Sequence, residues 1–116
     1  MHGARSFHES CVSIEVERPT PHGAVLTAVG VLDIATTPEL RTRLDEALAD
    51  GPDALTVDLT DVTFIDSSGL RSLLGASRRA DERSGQVVLR SPSPAVQRLL
   101  EITGTTTQFR VDEATA

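Results

Sequence analysis

Two adjacent hydroxyl groups, on Ser67 and Ser68, follow Asp66 at a point where the apolar pattern changes its period. The apolar residues before Asp66 have the spacing of a strand, and those after Gly69 recur at helical spacing. Asp and Ser side chains at such a junction accept hydrogen bonds from the free N–H groups of the first helical turn. These serines could therefore cap a helix, act as nucleophiles or carry a phosphate.

A catalytic serine at this position lacks the groups that would activate it. The segment 64–69 does not contain the G-x-S-x-G elbow of hydrolases. The three histidines, His2, His8 and His22, all precede the second predicted strand, and the sequence contains no lysine to replace them as a base. We therefore predict that the chain is not an enzyme. A hydrolase that uses Ser67 remains as a third hypothesis.

Four aspartates near the predicted strand ends could gather as a metal site, since carboxylate oxygens suit Mg²⁺ and ligands bind at such ends of parallel sheets. They are Asp33, Asp58, Asp61 and Asp66. Aspartate is also a common turn and cap residue, and we favour that interpretation. The sequence thus predicts no metal and no cofactor.

The third possible role of the two hydroxyls is to accept a phosphate. A phosphate on Ser67 would add about −1.5 to −2 charges at the start of a helix, where the dipole and free N–H groups tolerate an anion. Asp66 and Asp33 would repel it, and the added charge could drive away a docked acidic partner. A plain helix cap remains the alternative, because most serines at helix starts only cap.

The composition limits the class of protein. The chain has 116 residues, a net charge of −6 and one cysteine, Cys11. This charge argues against nucleic acid or an anionic membrane as a partner. The polar start offers no signal peptide, and no apolar run approaches the length of a membrane span. We expect a cytoplasmic protein with a flexible tail at 1–10, one domain at 11–111 and a second tail at 112–116.

Periodicity and turn residues predict the order ββαβαβαβ. Helical crossovers between strands indicate an α/β fold, here a four- to five-stranded mixed sheet with helices packed mainly on one face. Thr36 and Glu39 have the spacing of a capping box, and Thr60-Asp61 is expected to end the third strand. The predicted strands are 12–17, 24–29, 55–59, 86–90 and 106–111; the predicted helices are 36–49, 68–83 and a third one ending at Gly104.

Three blocks of sequence share the pattern of one bacterial family. The first is Phe-Ile-Asp-Ser-Ser-Gly-Leu at 64–70. The second, at 30–40, is similar to G-E-L-D…T-x-P-x-L, and the third, at 93–104, is similar to S-P-x-V-x-R-L-L followed by glycine. In this order and spacing the chain resembles the STAS-domain anti-sigma-factor antagonists, over about residues 11–111.

The resemblance implies a partner-switching role. In that family the unphosphorylated antagonist binds an anti-sigma factor that is also a serine kinase, and this frees a sigma factor. The kinase then phosphorylates the antagonist, and a serine phosphatase resets it. The family's phosphoacceptor maps to Ser67, and Ser68 is the second candidate because the family varies that position. The implied partner-binding residues are Asp33, Asp66, Ser67, Ser68, Gly69, Leu70 and Arg71.

Two departures from the family pattern motivate a second hypothesis. Val31 stands where the family usually has Glu, and the chain ends at Ala116, where many members add a helix. A scaffold module that binds its partner regardless of phosphorylation is therefore an alternative. Arg71, Arg78 and Arg79 fall roughly on one face of the second helix, as a solvated face or as a partner contact beside Ser67.

Overall fold

The computed structural model describes residues 12–20, 22–49 and 51–112. The predicted tail 1–10, Cys11 and residues 113–116 lie outside the described residues. Five strands, three α-helices and one short 3₁₀ helix follow in the predicted order. They are β1 (Val12–Thr20), β2 (Gly23–Leu32), α1 (Thr37–Leu48), β3 (Ala54–Ile65), α2 (Ser67–Asp81), β4 (Gln86–Arg90), α3 (Pro94–Thr103), the 3₁₀ helix (Thr106–Gln108) and β5 (Arg110–Asp112).

The strands form one mixed sheet in the order β1-β2-β3-β4-β5. β1 is antiparallel to β2, because a connection of a few residues can only reverse the chain direction. The pairs β2–β3, β3–β4 and β4–β5 are parallel, and α1, α2 and α3 provide the crossovers that parallel neighbours require. The predicted mixed α/β sheet is confirmed, with five strands.

Burial in the sheet is one-sided. Leu55, Val57 and Leu59 of β3 are fully buried, whereas Thr56 and Asp58 between them are partly exposed. Burial of each such leucine or valine stabilises the fold by about 1.5–3 kcal/mol. The helices therefore cover mainly one face, as predicted. Their buried side chains include Leu40 and Leu44 of α1, Leu73 and Ala76 of α2, and Val96 and Leu100 of α3.

β3 is longer than predicted, and Thr60-Asp61 does not end it. The pairing with β2 shifts register twice, so β3 carries an extra residue near Thr60 and another near Thr63, as in β-bulges. Gly30 of β2 lies beside the second shift with φ 107°, a backbone angle that favours glycine. The strand therefore runs on to Ile65, which pairs with Leu32 at the end of β2.

The predicted capping box at α1 is wrong. Thr36 makes no side-chain cap hydrogen bond and its backbone is already helical, with φ −99° and ψ −9°. Its Oγ1 instead donates to the carbonyl oxygen of Val31 at 2.9 Å and accepts from the N–H of Asp33 at 2.9 Å. Thr36 thus ties the loop after β2 to the strand that precedes it.

Two further boundaries differ from the prediction. Residues 106–108 form a 3₁₀ turn, so β5 contains only three residues and includes Asp112, which was expected in the tail. The helix α2 begins at Ser67, one residue earlier than expected. Gly104 ends α3 with φ 69°, as predicted for a left-handed C-terminal glycine.

Candidate functional site

The site lies at the carboxyl ends of β2 and β3. These parallel strands end on the paired residues Leu32 and Ile65, so Asp33 and Asp66 leave the same edge of the sheet. The N–H of Asp66 donates to the carbonyl oxygen of Leu32 at 3.1 Å. The loop after β2 and the start of α2 are thereby held side by side. Ligand sites in parallel sheets commonly lie at this edge.

Asp66, not a serine, caps α2. Its Oδ1 accepts hydrogen bonds from the N–H of Ser68 at 2.8 Å and of Gly69 at 3.2 Å. A carboxylate here also interacts favourably with the positive end of the helix dipole. The two serines are therefore the first and second residues of the helix, and neither hydroxyl is needed for capping.

The two serine hydroxyls have different surroundings. Ser67 is exposed, and its hydroxyl forms no hydrogen bond with any residue that the structure describes. Ser68 is partly buried and faces a hollow between α1 and α2. Of the two serines, Ser67 is therefore the more accessible.

The described surroundings of Ser67 contain no histidine that could act as a base. Within the described chain the one histidine is His22, whose Nδ1 lies 3.4 Å from Oδ2 of Asp53. Those two residues precede Gly23 and Ala54, at the opposite ends of β2 and β3 from Ser67. A serine nucleophile needs a base within hydrogen-bond reach, and no described histidine meets that condition.

Asp33 is partly buried and organises the loop after β2. Its Oδ1 accepts from the N–H of Ala35 at 3.0 Å and of Thr36 at 3.1 Å. Its carbonyl oxygen accepts from the N–H of Thr37 at 2.9 Å, in the first turn of α1. The predicted acidic neighbour of Ser67 thus lies at the expected edge of the sheet, with its carboxylate bonded to its own loop.

Gly69 and Leu70 are buried and position the helix. Leu70 is 4% exposed and belongs to the hydrophobic core. A Cβ atom on Gly69 would lie 2.8 Å from the carbonyl oxygen of Leu32. Only a residue without a side chain lets α2 start this close to the end of β2.

The three arginines of α2 spread over about 100° of the helix surface, as their spacing requires. Arg71 and Arg79 line the hollow beside Ser68. Arg78 lines a different hollow, together with Asp81 and Phe109. The predicted arginine face is therefore divided between two surfaces, and only Arg71 and Arg79 lie on the side of α1.

Exposed apolar side chains flank the site and were not predicted from the sequence. Ile34 is 75% exposed, Phe64 50% and Ile102 73%. Phe64 and Ile102 line an apolar hollow between the end of β3 and α3. Large apolar side chains exposed together usually mark a protein contact. Ile102 could have indicated this surface from the sequence, because it lies outside the buried stripe of α3 formed by Val96 and Leu100.

Replacement of Asp66 tests its role as the cap. We expect Asp66→Ala to lower the free energy of unfolding by about 1 kcal/mol, because two N–H groups lose their acceptor. The conservative variant Asp66→Asn keeps an acceptor oxygen and should retain most of that stability. Urea unfolding followed by circular dichroism measures both. Equal stability of the alanine variant and the native chain would contradict the cap.

The four aspartates weighed as a metal site do not come together. Within residues 12–20, 22–49 and 51–112, no three His, Cys, Asp or Glu side chains lie close enough to hold a metal ion. Asp58 accepts hydrogen bonds from the N–H and the hydroxyl of Thr60, at 3.0 and 2.7 Å. Over the same residues, no helix is long and apolar enough to cross a membrane.

Comparison with known proteins agrees with this geometry. A family model described as "Mlab, STAS domain" matches residues 16–111, from β1 to β5. This chain belongs to the STAS domain family. The anti-sigma-B factor antagonist of Listeria monocytogenes is 36% identical to it over 94 residues, which cover 80% of this chain and 82% of the relative.

Solved structures of anti-sigma factor antagonists show the same fold. An anti-sigma factor antagonist from Mycobacterium paratuberculosis has 28% identity and a TM-score of 0.78, covering 87% of this chain and 85% of that one. The anti-sigma factor antagonist SpoIIAA in its unphosphorylated form has 24% identity and a TM-score of 0.76, covering 89% of each chain. The predicted STAS-like domain is confirmed.

Proposed function

We propose that this STAS protein is an anti-sigma-factor antagonist that is switched by phosphorylation of Ser67. Unphosphorylated, it binds an anti-sigma factor that is also a serine kinase, and a sigma factor is released. The observation that carries the proposal is that Ser67, the first residue of α2, is exposed and that its hydroxyl forms no hydrogen bond with a described residue. The similarity to named anti-sigma-B factor antagonists supports the choice of partner.

The site suits a hydroxyl that is acted upon. Ser67 is accessible, Asp66 already caps the helix, and no described histidine is placed to remove the serine proton. A kinase can supply the missing base and the phosphate donor from its own active site. We therefore assign no catalysis to this chain, and we assign its reset to a serine phosphatase.

The position of Asp66 determines how a phosphate on Ser67 would act. The N–H groups of Ser68 and Gly69 already bond to the Asp66 carboxylate. A phosphate would therefore remain at the surface next to another negative charge, instead of being neutralised by the helix N-terminus. Like charges brought together at an interface cost several kcal/mol. The modification would act on the docked partner with little refolding of the antagonist.

The apolar residues around Ser67 fit a protein partner. Ile34 on one side and Phe64 on the other are both at least half exposed. The net charge of −6 makes nucleic acid or an anionic membrane an unfavourable partner. We place the complex in the cytoplasm, where anti-sigma factors and sigma factors act.

Incubation with the cognate anti-sigma kinase and ATP tests the proposal. We expect one phosphate, located on Ser67 by mass spectrometry, and dissociation of the complex on size-exclusion chromatography. Ser67→Ala should accept no phosphate, whereas Ser68→Ala, the matched control, should still be modified. Absence of phosphate from Ser67, while the same kinase modifies a known antagonist, would contradict the proposal.

A scaffold function is the second candidate, favoured by one observation. Val31 replaces the family's acidic residue, and its carbonyl oxygen is bonded to Thr36. A partner that does not depend on this acidic contact could bind regardless of the state of Ser67. Comparison of Ser67→Asp with Ser67→Ala distinguishes the two candidates.

A further inference from the structure

The hollow between α1 and α2 is basic, although the chain is acidic overall. It has a volume of about 410 Å³ and is lined by Arg41 of α1 and by Arg71 and Arg79 of α2. No acidic residue is among its described lining residues. Three of the eleven arginines of a chain with net charge −6 thus meet on one surface.

Two of these arginines have no counter-charge within the described part of the chain. Arg79 already forms an ion pair, because its Nη2 lies 2.8 Å from Oδ1 of Asp45. Arg41 and Arg71 are exposed, and neither forms an ion pair with a described residue. The end of the hollow nearest the start of α2 therefore presents two unpaired guanidinium groups.

This end of the hollow adjoins the phosphoacceptor. Ser68 lines the hollow directly. Ser67 and Arg71 are four residues apart on α2, a spacing that places Cβ atoms about 5–6 Å apart on one face. A phosphate on Ser67 would lie within reach of the Arg71 guanidinium.

We infer that Arg41 and Arg71 receive an acidic segment of the protein partner. The inference rests on the proposed function for the identity of that partner. Guanidinium groups bind carboxylates through paired, charge-assisted hydrogen bonds. Exposed Ile34 and Pro38 on the rim add apolar contacts of the kind that a protein segment makes.

The same geometry gives the switch a second component. A phosphate on Ser67 competes with the partner's carboxylates for Arg71, since both are anions that fit a guanidinium group. Phosphorylation therefore weakens the attraction between Arg71 and the partner's carboxylates, and it adds repulsion between the phosphate and the same carboxylates. This accounts for release of a partner by a single modification without a change of fold.

An acidic peptide tests the hollow without any kinase. The full chain is titrated into a fluorescein-labelled peptide of six glutamates at low ionic strength, and fluorescence anisotropy measures the binding. Arg41→Glu and Arg71→Glu should each weaken binding by about tenfold, because they bring like charges together. Arg78→Glu, the same charge change on the same helix, should have a much smaller effect, because Arg78 lines the other hollow.

Three results would overturn the inference: no binding to the native chain, an equal loss in Arg78→Glu, or tighter binding of a single-stranded oligonucleotide than of the peptide. Failure of the proposed function is a separate outcome. A chain that the kinase leaves unmodified on Ser67 would refute that function and leave Arg71-dependent peptide binding standing. A chain modified on Ser67 that shows no such binding would refute the inference alone.

Discussion

Ser67→Asp is expected to bind the anti-sigma kinase about 100-fold more weakly than Ser67→Ala, a difference of about 2.7 kcal/mol. Both variants remove the acceptor hydroxyl, so they differ mainly in the charge at the first residue of α2. The added carboxylate lies next to the Asp66 cap, whose own oxygen is held by two backbone N–H groups. Those two N–H groups are therefore not free to neutralise it, and like charges in an interface cost several kcal/mol. Isothermal titration calorimetry measures both affinities.

A pair of variants at Ser77 provides the control. Ser77 lies on the same helix but does not line the hollow between α1 and α2. It lines the other hollow, together with Arg78 and Phe109. Ser77→Asp and Ser77→Ala should bind the kinase with similar affinity, since the charge change is remote from Ser67. Equal affinities of the two Ser67 variants would contradict the phosphorylation switch and favour the scaffold function.

Local patterns in the sequence were sufficient for the order of the elements along the chain and for the mixed sheet. The alternation of Leu55, Val57 and Leu59 and the helical stripes between strands predict the mixed sheet and its one-sided core, because burial imposes those periods. Thr60-Asp61 failed as a signal for the end of β3. The strand continues through both residues because it stays paired with β2 through two bulges. That pairing is a long-range interaction, which no short window of sequence contains.

The strand-to-helix junction at the candidate site was predicted from the sequence, and the exposed apolar side chains beside it were not. Asp66-Ser67 at a strand-to-helix junction is a local pattern, and the structure shows the helix starting there. The different exposure of Ser67 and Ser68 depends on the first helical residue, which was predicted one position too late. The exposure of Ile34 and Phe64 depends on which elements fail to cover them. That is a tertiary property, which no local pattern in the sequence contains.

Thr36 illustrates the same limit at a single residue. Its spacing to Glu39 matches a capping box, yet its hydroxyl bonds to Val31 and Asp33 of the preceding segment. Both arrangements satisfy the hydroxyl. The folded chain selects the one that fixes the loop after β2, because Asp33 already bonds to the N–H groups at the start of that turn.

Gly69→Ala is expected to lower the free energy of unfolding by about 2 kcal/mol, within the range for overpacked sites. The new Cβ would lie 2.8 Å from the carbonyl oxygen of Leu32 and 3.0 Å from Cγ1 of Ile65. The carbonyl group is held in place, since its oxygen accepts from the N–H of Asp66. The clash therefore pushes the start of α2 away from β2, and it outweighs the gain of up to about 1 kcal/mol from replacing a helical glycine with alanine.

Gly75→Ala separates the clash from the helix propensity. Gly75 is in the same helix, and a Cβ there would meet only Nη1 of Arg79, at 3.5 Å, which is an ordinary contact with a flexible side chain. That variant should be as stable as the native chain or more stable by up to about 1 kcal/mol. Urea unfolding gives both values.

If Gly69→Ala proved as stable as Gly75→Ala, the close approach of α2 to β2 would not be what holds Ser67 at the edge of the sheet. If Gly69→Ala alone is destabilised and also loses phosphorylation by the kinase, the glycine acts by positioning Ser67.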